Sequence, residues 1–135
     1  MNRIKATLIL LATFVGFLIG GCSGGSDSHV TIAFHYSRFG PAVATVPAGV
    51  PVTFTLRNDD PIEHEWIVGA NEVHARHRFG TEPFHDHVPT EVTVPALSTR
   101  LTTVTFDQPG EYAFICHLPG HEAYGMRGML RVVAN

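Results

Sequence analysis

From Val30 onward the chain sustains no apolar repeat of helical period; it alternates in steps of two. Val30, Ile32 and Phe34 are separated by Thr31 and Ala33, and in "VTFTLRN" Val52, Phe54 and Leu56 alternate with Thr53, Thr55 and Arg57. Strict alternation puts apolar groups on one side of an extended strand and polar groups on the other. Further runs are His64-x-Trp66-x-Val68, "EVTV" (91–94), "RLTTVTF" (100–106), "EYAFIC" (111–116) and "MLRVV" (129–133). They are punctuated by "VPAGVP" (46–51), "NDDP" (58–61), "PALS" and "DQPG", whose Pro, Gly, Asn and Asp favour turns. Seven or so short strands in about 106 residues predict an all-β, two-sheet Greek-key sandwich.

The first residues follow another rule. Arg3 and Lys5 precede "ATLILLATFVGFLI" (6–19), a basic start and a short apolar run of the kind that directs export. Fourteen residues fall short of the roughly 20 that a membrane-spanning helix needs. The run closes on "IGGC", which resembles a bacterial lipobox, and that resemblance implies cleavage before Cys22 and its lipidation. "SGGSDSH" (23–29) reads as a flexible tether. The expected organisation is a lipoprotein signal peptide over 1–21, a tether over 22–29 and one β-domain over 30–135. Without the signal, seven arginines and no lysines face twelve carboxylates, a net charge of −5 with histidine neutral. That balance argues against a nucleic-acid partner. With Cys22 lipidated, Cys116 has no partner for a disulfide, and a lone thiol outside the cytoplasm persists best when buried or bound to metal.

"ICHLPGHEAYGMRGML" (115–130) holds that cysteine with two histidines and two methionines. With Tyr112 and Phe114 facing the core, Cys116 faces the same way and His117 the opposite way. "LPG" makes a tight turn that brings His121 back over the strand end, and Met126 follows five residues later. Leu130 and Val132 take the core phase of the last strand, which leaves Met129 on the other. The result is C-x4-H-x4-M: thiolate, imidazole and thioether. His64, in phase with Trp66 and Val68 just after a turn, is the candidate for a fourth donor. Two imidazoles and a thiolate with a distant methionine form the donor set of a blue copper electron-transfer site, where soft sulfur suits Cu(I) and imidazole tolerates both oxidation states.

"EHEWIVG" followed by "PGEYAFICHLPGHEAYGMRGMLRVV" resembles the cupredoxin family of plastocyanin-like blue copper proteins, most specifically over the last thirty residues. The resemblance implies an eight-stranded Greek-key sandwich, with His64, Cys116 and His121 as equatorial ligands of one type 1 copper and Met126 as the axial one. Many members carry Asn after the first histidine, where this chain has Glu65; the hydrogen bond to the ligand loop is then expected from elsewhere, with Asn58 the candidate. The implied function is single-electron transport between extracytoplasmic redox partners such as a c-type cytochrome or a respiratory oxidase. No enzymatic bond chemistry is implied. The expected form is a monomer, lipid-anchored to a bacterial membrane and facing the periplasm or exterior.

One stretch breaks the strand rhythm. "ANEVHARHRFGTEPFHDHVP" (70–89) is long and polar, with a helical turn expected around Asn71–Arg78. His74 and His77 are three apart, on one side of such a turn, and His85-Asp86-His87 is a potential chelating pair. Two readings stand: a solvated insertion, or a second, exposed metal site at His74, His77, His85 and His87. The second makes the chain a copper-binding and delivery lipoprotein. A multicopper oxidase needs several such pairs and more than one domain of this kind. A reductase-type enzyme needs an open coordination position, which Met126 argues against. His35, on the outward face of its strand, stays outside the metal set.

Overall fold

The computed structural model describes residues 28–80 and 88–134. In chain order these form β1 (Ser28–Phe34), β2 (Phe39–Gly40), β3 (Val43–Pro47), β4 (Pro51–Asn58), β5 (His64–Gly69), helix α1 (Asn71–Arg78), β6 (Glu91–Val94), β7 (Thr99–Thr105), β8 (Gly110–Ile115) and β9 (Arg127–Val133). One sheet runs β2-β1-β4-β7 and the other β3-β9-β8-β5-β6. The β1–β4 and β3–β9 pairs are parallel and the others antiparallel. The chain thus crosses repeatedly between the two sheets instead of meandering through one, as the sandwich reading requires.

Nine strands replace the seven to eight expected. The additions, β2 and β3, flank Pro41; β2 is too short to show a period, and β3 forms because Ala44 and Val46 bury their side chains while its backbone pairs with β9. Residues 46–47, read as turn, end that strand. β1 begins at Ser28, two residues before the expected domain start, because Ser28 and His29 already pair with Val52 and Thr53 of β4. The expected signal peptide (1–21), lipidated Cys22 and most of the tether lie outside the described residues, as do His85 and His87. Among the described residues no helix is long and apolar enough to cross a membrane.

Ile32, Phe34, Val52, Phe54, Leu56, Trp66, Val68, Phe114, Leu130 and Val132 meet between the sheets in one cluster. The period-two pattern therefore does select the core. β5 is the exception, since Glu65 and Ile67 on its second face are also buried. Helix α1 packs against this strand. Gly128 of β9 matters for the same region: a Cβ there would drive into the Phe114 ring and lie 2.7 Å from the Ala42 carbonyl oxygen. Nothing larger than glycine fits between the chain that leaves the C-terminal loop and the Phe114 layer below it.

Candidate metal centre

Cys116 is the residue immediately after β8, and Arg127 opens β9, so residues 116–126 form a loop at one end of the sandwich. Backbone hydrogen bonds close this loop on itself. The Cys116 N–H donates to the Met126 carbonyl (3.2 Å), Met126 N–H to His121 (3.0 Å) and His121 N–H to Leu118 (3.0 Å). Gly120 and Gly125 take φ of +84° and +89°, the left-handed backbone that the "PGH" and "YGM" turns demand. The spacing C-x4-H-x4-M is thereby converted into one rigid ring of backbone, with Met126 fully buried in the same cluster as Cys116.

The fourth candidate comes from the neighbouring strand. His64 opens β5, and its ring is 0 % exposed. Its Nε2 faces Asp60 Oδ2 at 2.9 Å. A carboxylate only accepts, so His64 donates there, and in the neutral ring Nδ1 carries the lone pair. That Nδ1 lies 3.2 Å from His121 Nδ1, which in turn lies 3.2 Å from Cys116 Sγ. Two nitrogens each about 2.0–2.1 Å from one ion stand this far apart when the angle between them is a little over a right angle. Among the described residues this trio is the group of three or more His, Cys, Asp or Glu whose donor atoms all lie within 4.8 Å of one another. The donor set and its spacing fit a copper ion.

Electrostatics agree with that fit. Burial pushes the Cys116 thiol up to about 11, although the backbone N–H groups of Glu65 and Leu118 act in the opposite direction. The Glu65 N–H lies 3.4 Å from the sulfur. A buried thiol of this kind becomes a thiolate only when a cation takes the proton's place. Burial, and then the neighbouring His64, hold His121 below the ordinary histidine value, which keeps its ring neutral and able to bind metal. Burial alone raises a carboxyl; at Asp60 the N–H groups of Ser37 and Tyr36, together with His64, outweigh it and hold the group below its usual range.

One expectation about the surroundings is corrected. Asn58 does not reach the ligand loop: its amide donates to the carbonyls of Ile62, Val94 and Pro95, tying down the turn before His64. Glu65 itself supplies the link, its Oε2 accepting the His117 backbone N–H at 3.2 Å. His117 faces away from the core, as its phase predicts. Its side chain is 6 % exposed, because α1 covers it. Sequence reasoning missed Asp60 altogether, since an aspartate in "NDDP" has an ordinary explanation as a turn former.

α1 occupies the helical turn expected at Asn71–Arg78 but does not present an exposed chelate. His74 and His77 are 1 % and 9 % exposed. His74 Nε2 faces the Ala113 carbonyl (3.2 Å) and must donate to it, so its Nδ1 accepts from His117 Nε2 at 3.0 Å. His77 Nδ1 donates to the Val73 carbonyl (2.9 Å), and its ring stacks on His117 with centroids 5.2 Å apart. On α1, His74 and His77 are therefore buried in a histidine cluster against the sheet instead of facing outward, while His85 and His87 of the candidate second site lie outside the described residues. His35 stays outside the metal set, its side chain 56 % exposed.

With this geometry in place, the comparisons with known proteins fall into line. Residues 7–132 match the family described as a Cupredoxin-like domain. The copper-resistant cuproprotein CopI of Rubrivivax gelatinosus is 33 % identical over 98 residues, which cover 70 % of this chain. The chain spans only 59 % of that relative's length. Reduced auracyanin from Roseiflexus castenholzii superposes with a TM-score of 0.67 over 81 % of this chain and 99 % of its own, at 23 % identity, and so shares the fold. Auracyanin A, a "blue" copper protein from Chloroflexus aurantiacus, gives a TM-score of 0.62 over 79 % of this chain and 99 % of its own, at 25 % identity.

Proposed function

The chain belongs to the cupredoxin-like family, and from that membership we propose that it is a mononuclear type 1 copper protein carrying single electrons between redox partners outside the cytoplasm. The observation that carries this reading is the convergence of His64 Nδ1, His121 Nδ1 and Cys116 Sγ within 4.8 Å inside a loop closed by its own backbone. His64, Cys116, His121 and Met126 would hold the copper, through two imidazoles, a thiolate and a thioether. When bound, the copper supplies a one-electron Cu(II)/Cu(I) couple.

The protein's part is to hold its donors still. The bonds Cys116–Met126, Met126–His121 and His121–Leu118 fix the loop, and burial excludes water from the sulfur. Donors that do not move between oxidation states keep the reorganisation on electron transfer small. His121 is the partly exposed donor, bordered by half-buried Leu118 and exposed Pro119, Gly120 and Tyr124. This edge is where the electron leaves, through a small apolar contact suited to weak, fast docking. A donor set completed by Met126 leaves no open position for substrate, so the protein carries out no bond chemistry of its own. The excess of carboxylates favours a basic partner face, as on a c-type cytochrome or a respiratory oxidase. Export and a lipid anchor at Cys22 hold the protein, as a monomer, on a bacterial membrane.

A second reading has support in the relative named as copper-resistant: the same centre then serves copper handling, not electron traffic. Adding Cu(II) to the purified protein separates the readings. An electron carrier binds one equivalent, develops an intense visible band from thiolate-to-copper charge transfer, loses it in Cys116→Ser, and cycles reversibly at an electrode. A copper-handling protein passes that one equivalent to an acceptor chelator, and the visible band is lost as the copper leaves. A colourless wild-type protein refutes the type 1 reading.

A further inference from the structure

Asp60 stands four residues before His64, and its surroundings are more elaborate than a turn requires. The residue is 5 % exposed. Its Oδ1 accepts the Tyr36 N–H at 2.7 Å, and its Oδ2 accepts the Ser37 N–H at 2.8 Å while also facing His64 Nε2 at 2.9 Å. Tyr36 and Ser37 both have left-handed backbones, with φ of 52° and 51°. Such a conformation costs a residue with a Cβ about 1–2 kcal/mol. Two in succession persist only where the surroundings hold them. Their N–H groups form a concave anion-binding surface, and the anion is this carboxylate. The Asp60 backbone is anchored as well: its N–H donates to Asn58 Oδ1 (3.0 Å) and its carbonyl accepts from Leu97 (3.0 Å). The charge is therefore fixed in place behind His64.

We propose that Asp60 is the positioning residue of the copper centre: by accepting the Nε2–H of His64 it fixes the tautomer that turns the Nδ1 lone pair toward Cys116 and His121, and by placing a fixed negative charge behind the ring it lowers the reduction potential of the bound copper. The inference rests on the type 1 reading above. Without a partner for Nε2, the imidazole is free to protonate at either nitrogen, and half of its neutral forms point a hydrogen at the metal position. A carboxylate partner removes that choice and makes the ring a stronger donor. Stronger donation favours the more highly charged ion, hence Cu(II) over Cu(I). A backbone carbonyl in the same position orients the ring but supplies a dipole in place of a full charge.

The test compares the wild-type protein with Asp60→Asn, which removes the charge and can present to His64 Nε2 either an acceptor oxygen or a donor NH2. A second version of that variant carries Tyr36→Gly and Ser37→Gly, which relieve the left-handed strain so that folding does not depend on the carboxylate. In the metal-free proteins, nitrogen NMR reads the His64 tautomer. In the copper-loaded proteins, voltammetry reads the potential. The expected result is the Nε2–H tautomer in the wild type and a mixture in both variants. The ratio of Cu(II) to Cu(I) affinity falls about tenfold in the variants, an upward shift of about 59 mV for a one-electron couple, with the charge-transfer band retained. A wild-type His64 in the Nδ1–H form, or variants with unchanged potential and tautomer, overturn the proposal and leave Asp60 as a loop anchor. If wild-type protein binds Cu(II) without the band, the type 1 reading fails and the potential shift with it. The tautomer in metal-free protein then decides by itself whether Asp60 orients His64.

Discussion

Cys116 and His117 are neighbours at one strand end, and they lead into two histidine clusters on opposite faces of the same sheet. On the inner face His64 and His121 turn Nδ1 toward each other and toward the sulfur, all within 4.8 Å. On the outer face the rings of His74, His77 and His117 also pack together, but they direct their ring N–H groups into one another and into backbone carbonyls. The difference lies in what faces the far side of each ring. Asp60 takes the outer N–H of His64 and leaves the lone pair pointing inward. Ala113 takes the outer N–H of His74, but the freed lone pair is consumed by His117. Among the described residues, only the inner cluster brings three donor atoms within 4.8 Å of one another.

The largest break in this contrast comes from copper linkage. A ligand at 1,000 times its dissociation constant stabilises a fold by about 4 kcal/mol. Thermal unfolding with and without Cu(II) is expected to show a gain of that order in the wild type and in His74→Ala, and to lose most of it in Cys116→Ser. Equal loss in His74→Ala would mean that the outer cluster also binds the metal.

A smaller effect runs the other way. His74→Ala strips the His117 N–H of its acceptor and the Ala113 carbonyl of its donor in a buried place. Denaturant unfolding of the metal-free protein should show a cost of about 2–3 kcal/mol, with the visible spectrum of the copper form unchanged.

The smallest effect sharpens the contrast through pH. Burial, with the neighbouring His74 adding to it, lowers His117 to about 4 from an ordinary value of 6.5. The unfolded chain therefore takes up this proton first as pH falls. The cluster's contribution is complete above about 6.5 and is lost on acidification toward about 4. Metal-free protein should lose on the order of 1–2 kcal/mol across that window once solvent screening is allowed for, and a His117→Phe variant should show a flatter acid limb. An unchanged slope in the variant would assign the acid sensitivity to other groups.

Much of this could be read along the chain. Alternation fixes which side of each strand faces the core, so the phase of Tyr112, Phe114 and Cys116 determined that the cysteine looks inward and His117 does not. Glycines at 120 and 125 announce the turns that bring His121 and Met126 into one loop with it. Strand β2 was not legible because two residues carry no period, and β3 was hidden because its Val46 and Pro47 read as the start of a Pro/Gly turn. The burial of His74 and His77 was hidden for a related reason. A polar helix reads as solvated unless the sheet beneath it offers a carbonyl and a third imidazole to satisfy it.

The sequence by itself determined the donor types, their spacing and the face on which they lie, because these follow from local geometry that every strand and tight turn shares. Only the tertiary structure decided which nitrogen of each histidine is offered, since a tautomer is set by whatever stands behind the ring. Behind His64 stands Asp60, held by two N–H groups from a loop more than twenty residues earlier. Behind His74 stands a carbonyl from β8, thirty-nine residues away. Contacts across such separations leave no periodic trace in the chain, and they decide where each ring's lone pair points.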